Sequence, residues 1–124
     1  MNLNQESVKN MIATVSLNPA IDRTMTADDL VTGEVNRMKS SVQYAGGKGI
    51  NVTKMLRNLD EEACALGFLG GFAGKFILDY LETIGVDCRF TMVPSETRTS
   101  LNIITDSGEV TEILEPGAAI PAES

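Results

Sequence analysis

A glycine-rich segment with one lysine, residues 45–51 (Ala-Gly-Gly-Lys-Gly-Ile-Asn), is the part of the chain best suited to bind an anion. Glycines let the backbone approach a ligand without a Cβ clash. The helical pattern that follows would present unpaired N–H groups and the positive end of its dipole. Lys48 adds a mobile positive charge, and Asn51 offers a donor and an acceptor. The segment predicts a site for a phosphate or a polyhydroxyl compound, and the alternative is a tight strand-to-helix turn.

The segment does not match the two common nucleotide-binding fingerprints. A Walker A loop requires Ser or Thr directly after its lysine, and Gly49 stands there. The G-x-G-x-x-G pattern fails because Asn51 and Val52 follow Gly49. A dinucleotide-binding domain would also need an acidic residue where the second strand closes, and residues 68–70 are Phe-Leu-Gly. The sequence therefore disfavours a dinucleotide-binding domain, although the architecture of such a domain would be similar to the one predicted for this chain.

A second glycine cluster also lies between a predicted strand and a predicted helix. Leu69 stands where a Walker A motif would need its first glycine before Gly74 and Lys75. We therefore interpret this cluster as a structural turn. Its members are Gly67, Gly70, Gly71 and Gly74.

Two further polar side chains are candidates for a ligand site. Asp22 ends the segment Asn-Pro-Ala-Ile-Asp, which directly follows the first predicted strand. Ligands of open α/β sheets bind beyond the carboxyl ends of strands, so Asp22 would point into the same crevice as the glycine-rich segment. Its alternative role is a surface cap. Arg98, Ser100 and Asn102 share one face of a predicted strand, which either lines a ligand site or meets water.

The elements that must position these residues alternate between strands and helices. The apolar runs at residues 11–17, 63–69 and 88–93 predict three strands, and the first reads as buried on both faces. The helix after the glycine-rich segment should bury one face, and the helix after residue 71 another, with Gly85 at its C-terminal end. The first face is Val52, Met55, Leu56 and Leu59, and the second is Phe72, Phe76, Ile77, Tyr80, Leu81 and Ile84. This order predicts an α/β, doubly wound fold.

Two segments fall outside that alternation. Residues 23–44 alternate loosely between polar and apolar and suit short strands outside the main sheet. Residues 97–105 and 110–114 flank the sequence Asp-Ser-Gly-Glu, which predicts a β-hairpin.

Composition excludes several classes of function. The 124-residue chain has a net charge of -7, which disfavours nucleic acid as a partner. It has no histidine, which removes His-based nucleophilic triads and imidazole metal sites. Cys64 and Cys88 match no metal-ligand spacing and suit reduced, buried thiols, so we expect a cytoplasmic protein with no metal site here. No segment suits a secretory signal or a membrane span.

In this order, these features resemble the PfkB family of ribokinase-like carbohydrate kinases, over residues 12 to about 117. Three stretches carry the resemblance: Asn-Pro-Ala-Ile-Asp at residues 18–22, the glycine-rich helix start followed by Gly-Phe-Leu-Gly-Gly at residues 67–71, and Thr-Arg-Thr at residues 97–99 before the hairpin. Lys48 between the glycines is similar to the branch that acts on phosphorylated ketohexoses, which includes 1-phosphofructokinase and tagatose-6-phosphate kinase.

The resemblance implies a role for each matching residue. Asp22 would bind sugar hydroxyls, while Gly46, Gly47 and Asn51 would hold the sugar by backbone and amide contacts. Lys48 and Arg98 would bind the phosphate already on the substrate. Residues 23–44 and 97–115 would form a β-sheet lid over the sugar, through which a homodimer could pair. The substrate would be fructose 1-phosphate, or tagatose or fructose 6-phosphate.

The family's second motif, Gly-Ala-Gly-Asp, is absent from these residues. In the family this motif carries the aspartate base and lies in the ATP site, so the resemblance implies ATP and Mg²⁺ only for the full-length enzyme. We therefore expect a polar extension at residues 1–10, a partial ribokinase-like domain at residues 11–124, and no catalytic or cofactor-binding residue in this chain. We expect the chain to be one part of a hexose-phosphate kinase and to have no kinase activity when it is taken alone. The alternative is a non-catalytic sugar-phosphate-binding module or a truncated pseudo-kinase.

Overall fold

A computed structural model describes residues 10–122 of the chain, so residues 1–9 of the predicted extension lie outside it. Within these residues, strands and helices follow in the order β1 (Ile12–Ser16), β2 (Ala20–Ala27), β3 (Ser40–Gly46), α1 (Lys48–Asn58), β4 (Ala63–Leu69), α2 (Gly71–Thr83), β5 (Asp87–Met92), β6 (Arg98–Thr105) and β7 (Val110–Leu114). The predicted alternation of strands and helices is confirmed.

The first sheet is parallel and has the strand order β1-β4-β5. Both helices cover the same face of it, because Ala65 and Leu69 of β4 share one core with Ile50 of α1 and Ile77 of α2. Residues on the opposite face therefore have no helix over them. This arrangement follows from two successive right-handed crossovers that move in one direction across the sheet.

Strand β1 is not buried on both faces, and that prediction is wrong. Val15 is 60% exposed and Leu17, just beyond the strand, is 70% exposed. The inward positions are the polar Thr14 and Ser16, which are buried. An apolar run cannot distinguish burial on one face from burial on two, since that depends on which elements cover the sheet.

The predicted apolar face of α1 is also wrong. Its members Val52, Met55 and Leu59 are more than half exposed, whereas Ile50 and Thr53 are fully buried. The Thr53 hydroxyl donates to the Gly49 carbonyl at 2.9 Å and shares a hydrogen bond with the Thr14 hydroxyl at 2.5 Å. Thr53 therefore faces β1 on the same side of the helix as Ile50, and hydrophobic periodicity does not detect such a polar contact.

The predicted face of α2 is confirmed except at its first residue. Ile77 and Leu81 are fully buried, and Phe76, Tyr80 and Ile84 pack against the core. Phe72 is 93% exposed, because the buried stripe begins one residue later at Ala73. Gly85 has φ +82° and ends the helix as predicted.

The second sheet contains four strands in the order β3-β2-β6-β7. Strands β2 and β6 are parallel, and the two outer pairings are antiparallel. The predicted hairpin is confirmed, since Ile104 pairs with Val110 and Gly108 takes φ +86° in the turn. Ala20 of β2 pairs with Arg98 of β6, so the register brings the start of β6 to the end of the loop after β1.

Candidate functional site

A cavity of about 370 Å³ lies where β1 ends and α1 begins. Its wall consists of residues 15–19, residues 47–49 and Arg98. The cavity is therefore at the carboxyl end of a parallel strand and at the N-terminus of a helix, which is where open α/β sheets bind ligands.

Gly47 makes the approach of this turn to the loop after β1 sterically feasible. Its φ of +100° is rarely adopted by residues with a side chain. A Cβ at this position would also lie 3.1 Å from the Pro19 Cα. The predicted tight turn is thus present, and it brings backbone N–H groups to the edge of the cavity.

Lys48 is the unpaired cation of the site. Its side chain is exposed, and among residues 10–122 its ammonium group forms no hydrogen bond or ion pair. By contrast, Lys54 in the same helix donates to the Ala45 carbonyl at 3.0 Å and lies over the rings of Tyr44 and Tyr80. Lys48 is therefore free to pair with an anion, whereas Lys54 holds α1 against β3.

The N-terminus of α1 lacks an internal anion. Its N-cap is Gly47, which supplies no side-chain hydrogen bond, and its first turn contains no acidic residue. Asn51 is exposed in this turn, and its backbone N–H donates to the Gly47 carbonyl at 2.8 Å. The positive end of the helix dipole therefore meets the cavity without a compensating negative side chain.

Arg98 lies on the cavity wall and is partly buried. Its Nη2 donates to the Asn18 carbonyl at 3.1 Å and its Nη1 to the Ser100 hydroxyl at 3.3 Å. Its Nε is buried with no hydrogen-bond partner among the described residues. Ser100 is itself buried, so the alternative in which this whole strand face meets water is wrong at that position.

Asp22 and Gly46 lie beside the cavity rather than on its wall. Asp22 is half-buried on β2, and its carboxylate contacts the backbone of Gly46 at the end of β3. The structure thus brings Gly47, Lys48 and Arg98 onto the wall of one cavity, whereas Asp22, Gly46 and Asn51 are not among the residues that line it.

Sequence reasoning missed Ser16 and Glu96. The Ser16 hydroxyl is buried beneath Gly49 with no partner among the described residues, and Ser16 lines the cavity. Glu96 accepts hydrogen bonds from the N–H groups of Phe72 and Ala73 at the start of α2. No local pattern predicts either contact, because each joins residues that are distant in the sequence.

The start of α2 therefore differs from the start of α1. A carboxylate of the chain itself occupies it, which agrees with the interpretation of the second glycine cluster as a structural turn. Of the two helix N-termini in the described part of the chain, the one at Lys48 is the one available to an external anion.

Neither a metal site nor a membrane span emerges from residues 10–122. No three His, Cys, Asp or Glu side chains among them are grouped so that they could hold a metal ion. No helix in this range is both long and apolar enough to cross a membrane.

Comparison with known proteins gives a consistent result. The sequence model of the "pfkB family carbohydrate kinase" matches residues 10–123. Tagatose-6-phosphate kinase of Staphylococcus epidermidis is 40% identical over 110 residues, which are 89% of this chain and 35% of that protein. 1-Phosphofructokinase of Bacillus subtilis is 38% identical over 113 residues, which are 91% of this chain and 37% of that protein.

A solved structure agrees with these sequence matches. Phosphofructokinase-2 of Escherichia coli in complex with fructose-6-phosphate superposes with a TM-score of 0.85 and 27% identity, covering 91% of this chain and 38% of that one. The chain spans between 35% and 38% of the length of these three relatives.

Proposed function

This chain belongs to the pfkB family of carbohydrate kinases, with the ribokinase-like α/β fold of that family, and we propose that it forms the sugar-phosphate-binding part of a ketohexose-phosphate kinase. The reaction would be ATP-dependent phosphorylation of fructose 1-phosphate, or of tagatose or fructose 6-phosphate. The curated relatives are named for two of these activities.

The observation that carries the proposal is the free cation at an uncapped helix start. Lys48 has no partner within residues 10–122, and the α1 N-terminus beside it has no acidic side chain. Arg98 lies on the wall of the same cavity. A phosphate accepts charge-assisted hydrogen bonds from such groups, and these are about twice as strong as bonds between neutral groups.

The sugar would lie next to the phosphate, against Asp22, Gly46 and Asn51. A carboxylate accepts hydrogen bonds from hydroxyl groups, and the carboxylate of Asp22 accepts none from within residues 10–122. The amide of Asn51 is exposed in the first turn of α1 and offers both donors and an acceptor. These groups distinguish a polyhydroxyl phosphate from inorganic phosphate.

Kinases of this family generally use ATP and a divalent metal ion. No cluster of three acidic or thiol side chains among residues 10–122 could hold a metal ion, and the Gly-Ala-Gly-Asp motif of the family's ATP site is absent from this sequence. We therefore assign these residues only to the acceptor side of the reaction, and we derive no step through the nucleotide or the metal.

A homodimer through the second sheet is the proposed assembly. Exposed apolar side chains on this sheet include Val42, Tyr44 and Leu114. A second structure of phosphofructokinase-2 of Escherichia coli, 25% identical over the region aligned with this chain, is that of its tetrameric inhibited form. The cytoplasmic location stays a prediction, and it rests on Cys64 and Cys88 being free thiols.

Isothermal titration of the 124-residue chain with fructose 1-phosphate, fructose 6-phosphate, tagatose 6-phosphate and fructose tests the proposal. We expect one sugar phosphate to bind more tightly than fructose, and Lys48→Ala to weaken that binding about tenfold while leaving fructose binding unchanged, as for loss of one charge-assisted contact. Lys75→Ala is the matched control, since Lys75 is exposed on α2 and, within residues 10–122, pairs only with Asp79.

Equal binding of phosphorylated and unphosphorylated sugars would contradict the proposal. ATP-dependent phosphorylation by this chain alone would contradict the restriction to the acceptor side. Binding without transfer, even after addition of a purified pfkB-family nucleotide-binding part, would favour the alternative of a non-catalytic sugar-phosphate-binding module or truncated pseudo-kinase.

A further inference from the structure

Glu96 connects the start of α2 to the segment that leads into β6. Its Oε1 accepts a hydrogen bond from the Ala73 N–H at 2.8 Å, and its Oε2 accepts one from the Phe72 N–H at 3.2 Å. The carboxylate also fills the space that a Cβ at Gly71 would occupy. The contact therefore depends on the glycine turn as well as on the acid.

Thr97 extends this attachment by one residue. Its hydroxyl accepts a hydrogen bond from the Gly70 N–H at 2.9 Å, and its own N–H donates to the Gly70 carbonyl at 3.0 Å. Glu96 and Thr97 together make four hydrogen bonds to the turn at residues 70–73. The next residue along the chain is Arg98.

Helix α2 needs this external carboxylate because its own sequence supplies none. Its N-cap, Gly70, makes no side-chain hydrogen bond, and its first turn contains no acidic residue. The first N–H groups of a helix have no intrahelical acceptor and carry the positive end of the dipole. A carboxylate that accepts two of these N–H groups is held by charge as well as by geometry.

We propose that Glu96 is a positioning residue for Arg98. Glu96 does not line the 370 Å³ cavity, whereas Arg98 does, so Glu96 would act on the ligand through Arg98. By fixing the backbone just before β6, it keeps the guanidinium between the Asn18 carbonyl and the Ser100 hydroxyl. The effect on binding rests on the proposed role of Arg98 toward the substrate phosphate.

The first test needs no ligand. In ¹⁵N-resolved NMR spectra of the 124-residue chain, the Arg98 Nε–Hε signal should shift in Glu96→Gln, which keeps the size of the side chain and removes its charge. The signal should stay in place in Glu82→Gln, because Glu82 is exposed on the same helix. An Arg98 signal that does not move in Glu96→Gln overturns the inference.

The second test is a double-mutant cycle with fructose 1-phosphate and fructose as the titrants. Glu96→Gln should weaken the binding of fructose 1-phosphate about three- to tenfold and leave the binding of fructose unchanged. In the Arg98→Ala background, Glu96→Gln should change the affinity for fructose 1-phosphate less than twofold. Equal losses in both backgrounds, or for both titrants, would mean that Glu96 supports the fold only.

Two further results separate a failure of the inference about Glu96 from a folding defect and from a failure of the proposed role of Arg98. If Glu96→Gln does not fold, Thr97→Val removes the hydroxyl bond to Gly70 and should produce the same phosphate-selective loss. If Arg98→Ala leaves phosphate binding unchanged, the proposed role of Arg98 is wrong, and the NMR signal alone then decides whether Glu96 positions it.

Discussion

The carboxylate of Asp22 lies where a side chain at position 46 would have to be. Strands β2 and β3 pair so that Ala20 is opposite Gly46, and Asp22 is two residues further along β2. Because Gly46 has no Cβ, the carboxylate rests against the backbone immediately before the turn into α1. Two residues predicted to bind the same sugar are thus coupled sterically.

Replacement of Gly46 by alanine should displace the Asp22 carboxylate. The added methyl group collides with it, and overpacking of this kind costs about 1–3 kcal/mol where the neighbour cannot move. We expect fructose binding in isothermal titration to weaken about tenfold or more, with only a small change in melting temperature if Asp22 rotates away.

Gly108→Ala is the control for that experiment. A Cβ at Gly108 meets nothing within 4 Å, but its φ of +86° makes the substitution strained. The control should therefore lower stability without changing sugar affinity. An unchanged affinity in Gly46→Ala would remove Asp22 from the proposed sugar site.

The inward face of α1 can be tested by a pair of alanine substitutions. Ile50 is fully buried, so Ile50→Ala should lower the free energy of unfolding by about 2–5 kcal/mol. Val52 is 53% exposed, so Val52→Ala should change it by about 0.5 kcal/mol or less. Urea denaturation followed by circular dichroism measures both, and the reverse ranking would mean that the apolar face of α1 is the buried one.

The Cys88 thiol should be unreactive at neutral pH. Burial is the main cause that raises its pKa from 9.0 to about 11, and the nearby Glu82 and Asp87 add to the effect. At pH 8 about one thiol in a thousand would then be thiolate. In a Cys64→Ala background, we expect the alkylation rate with iodoacetamide to rise up to about pH 11 in the native chain.

The same pKa shift gives a direction for stability. The native state holds the Cys88 proton more tightly than the unfolded chain does. The contribution of this thiol to the free energy of unfolding is therefore complete below pH 9 and is lost as the pH rises from there toward 11. Urea-unfolded chain should react with an apparent pKa near 9. A native alkylation profile with the same midpoint would contradict the raised pKa of Cys88, whose thiol is partly buried.

The face of the first sheet that carries no helix should cause self-association. Val15 and Leu17 are 60% and 70% exposed there, and contiguous exposed apolar surface favours association. Sedimentation velocity should detect concentration-dependent species in the 124-residue chain, and Val15→Lys should reduce them. Val35→Lys is the control, because Val35 is 82% exposed in the loop between β2 and β3. A monomer with a sharp two-state melt would contradict this prediction.

The order and type of the elements were predictable because they depend on local signals. Apolar runs of six or seven residues, glycine turns and one amphipathic stripe in α2 predict strands and helices from neighbours in the chain. The hairpin before β7 was predictable for the same reason, since its turn residues lie between two short strands. The role of Lys48 and Arg98 toward phosphate remains a prediction.

Contacts between distant residues were not predictable in this way. The inward side of α1 includes the hydroxyl contact between Thr14 and Thr53, which are 39 residues apart. The cap on α2 comes from Glu96, which is 23 residues from Ala73. A sequence pattern reports periodicity within one element, whereas these contacts depend on how elements pack.

By itself, the sequence determined the glycine-rich helix start, the presence of a lysine within it and the absence of histidine chemistry, because residue type and spacing are sufficient for each. Only the tertiary structure decided that Lys48 and Arg98 share one cavity and that Glu96 occupies the other helix start. The physical reason is that strand register and helix rotation come from packing and hydrogen bonds across the chain, which bring together residues 50 positions apart in the sequence, from 48 to 98.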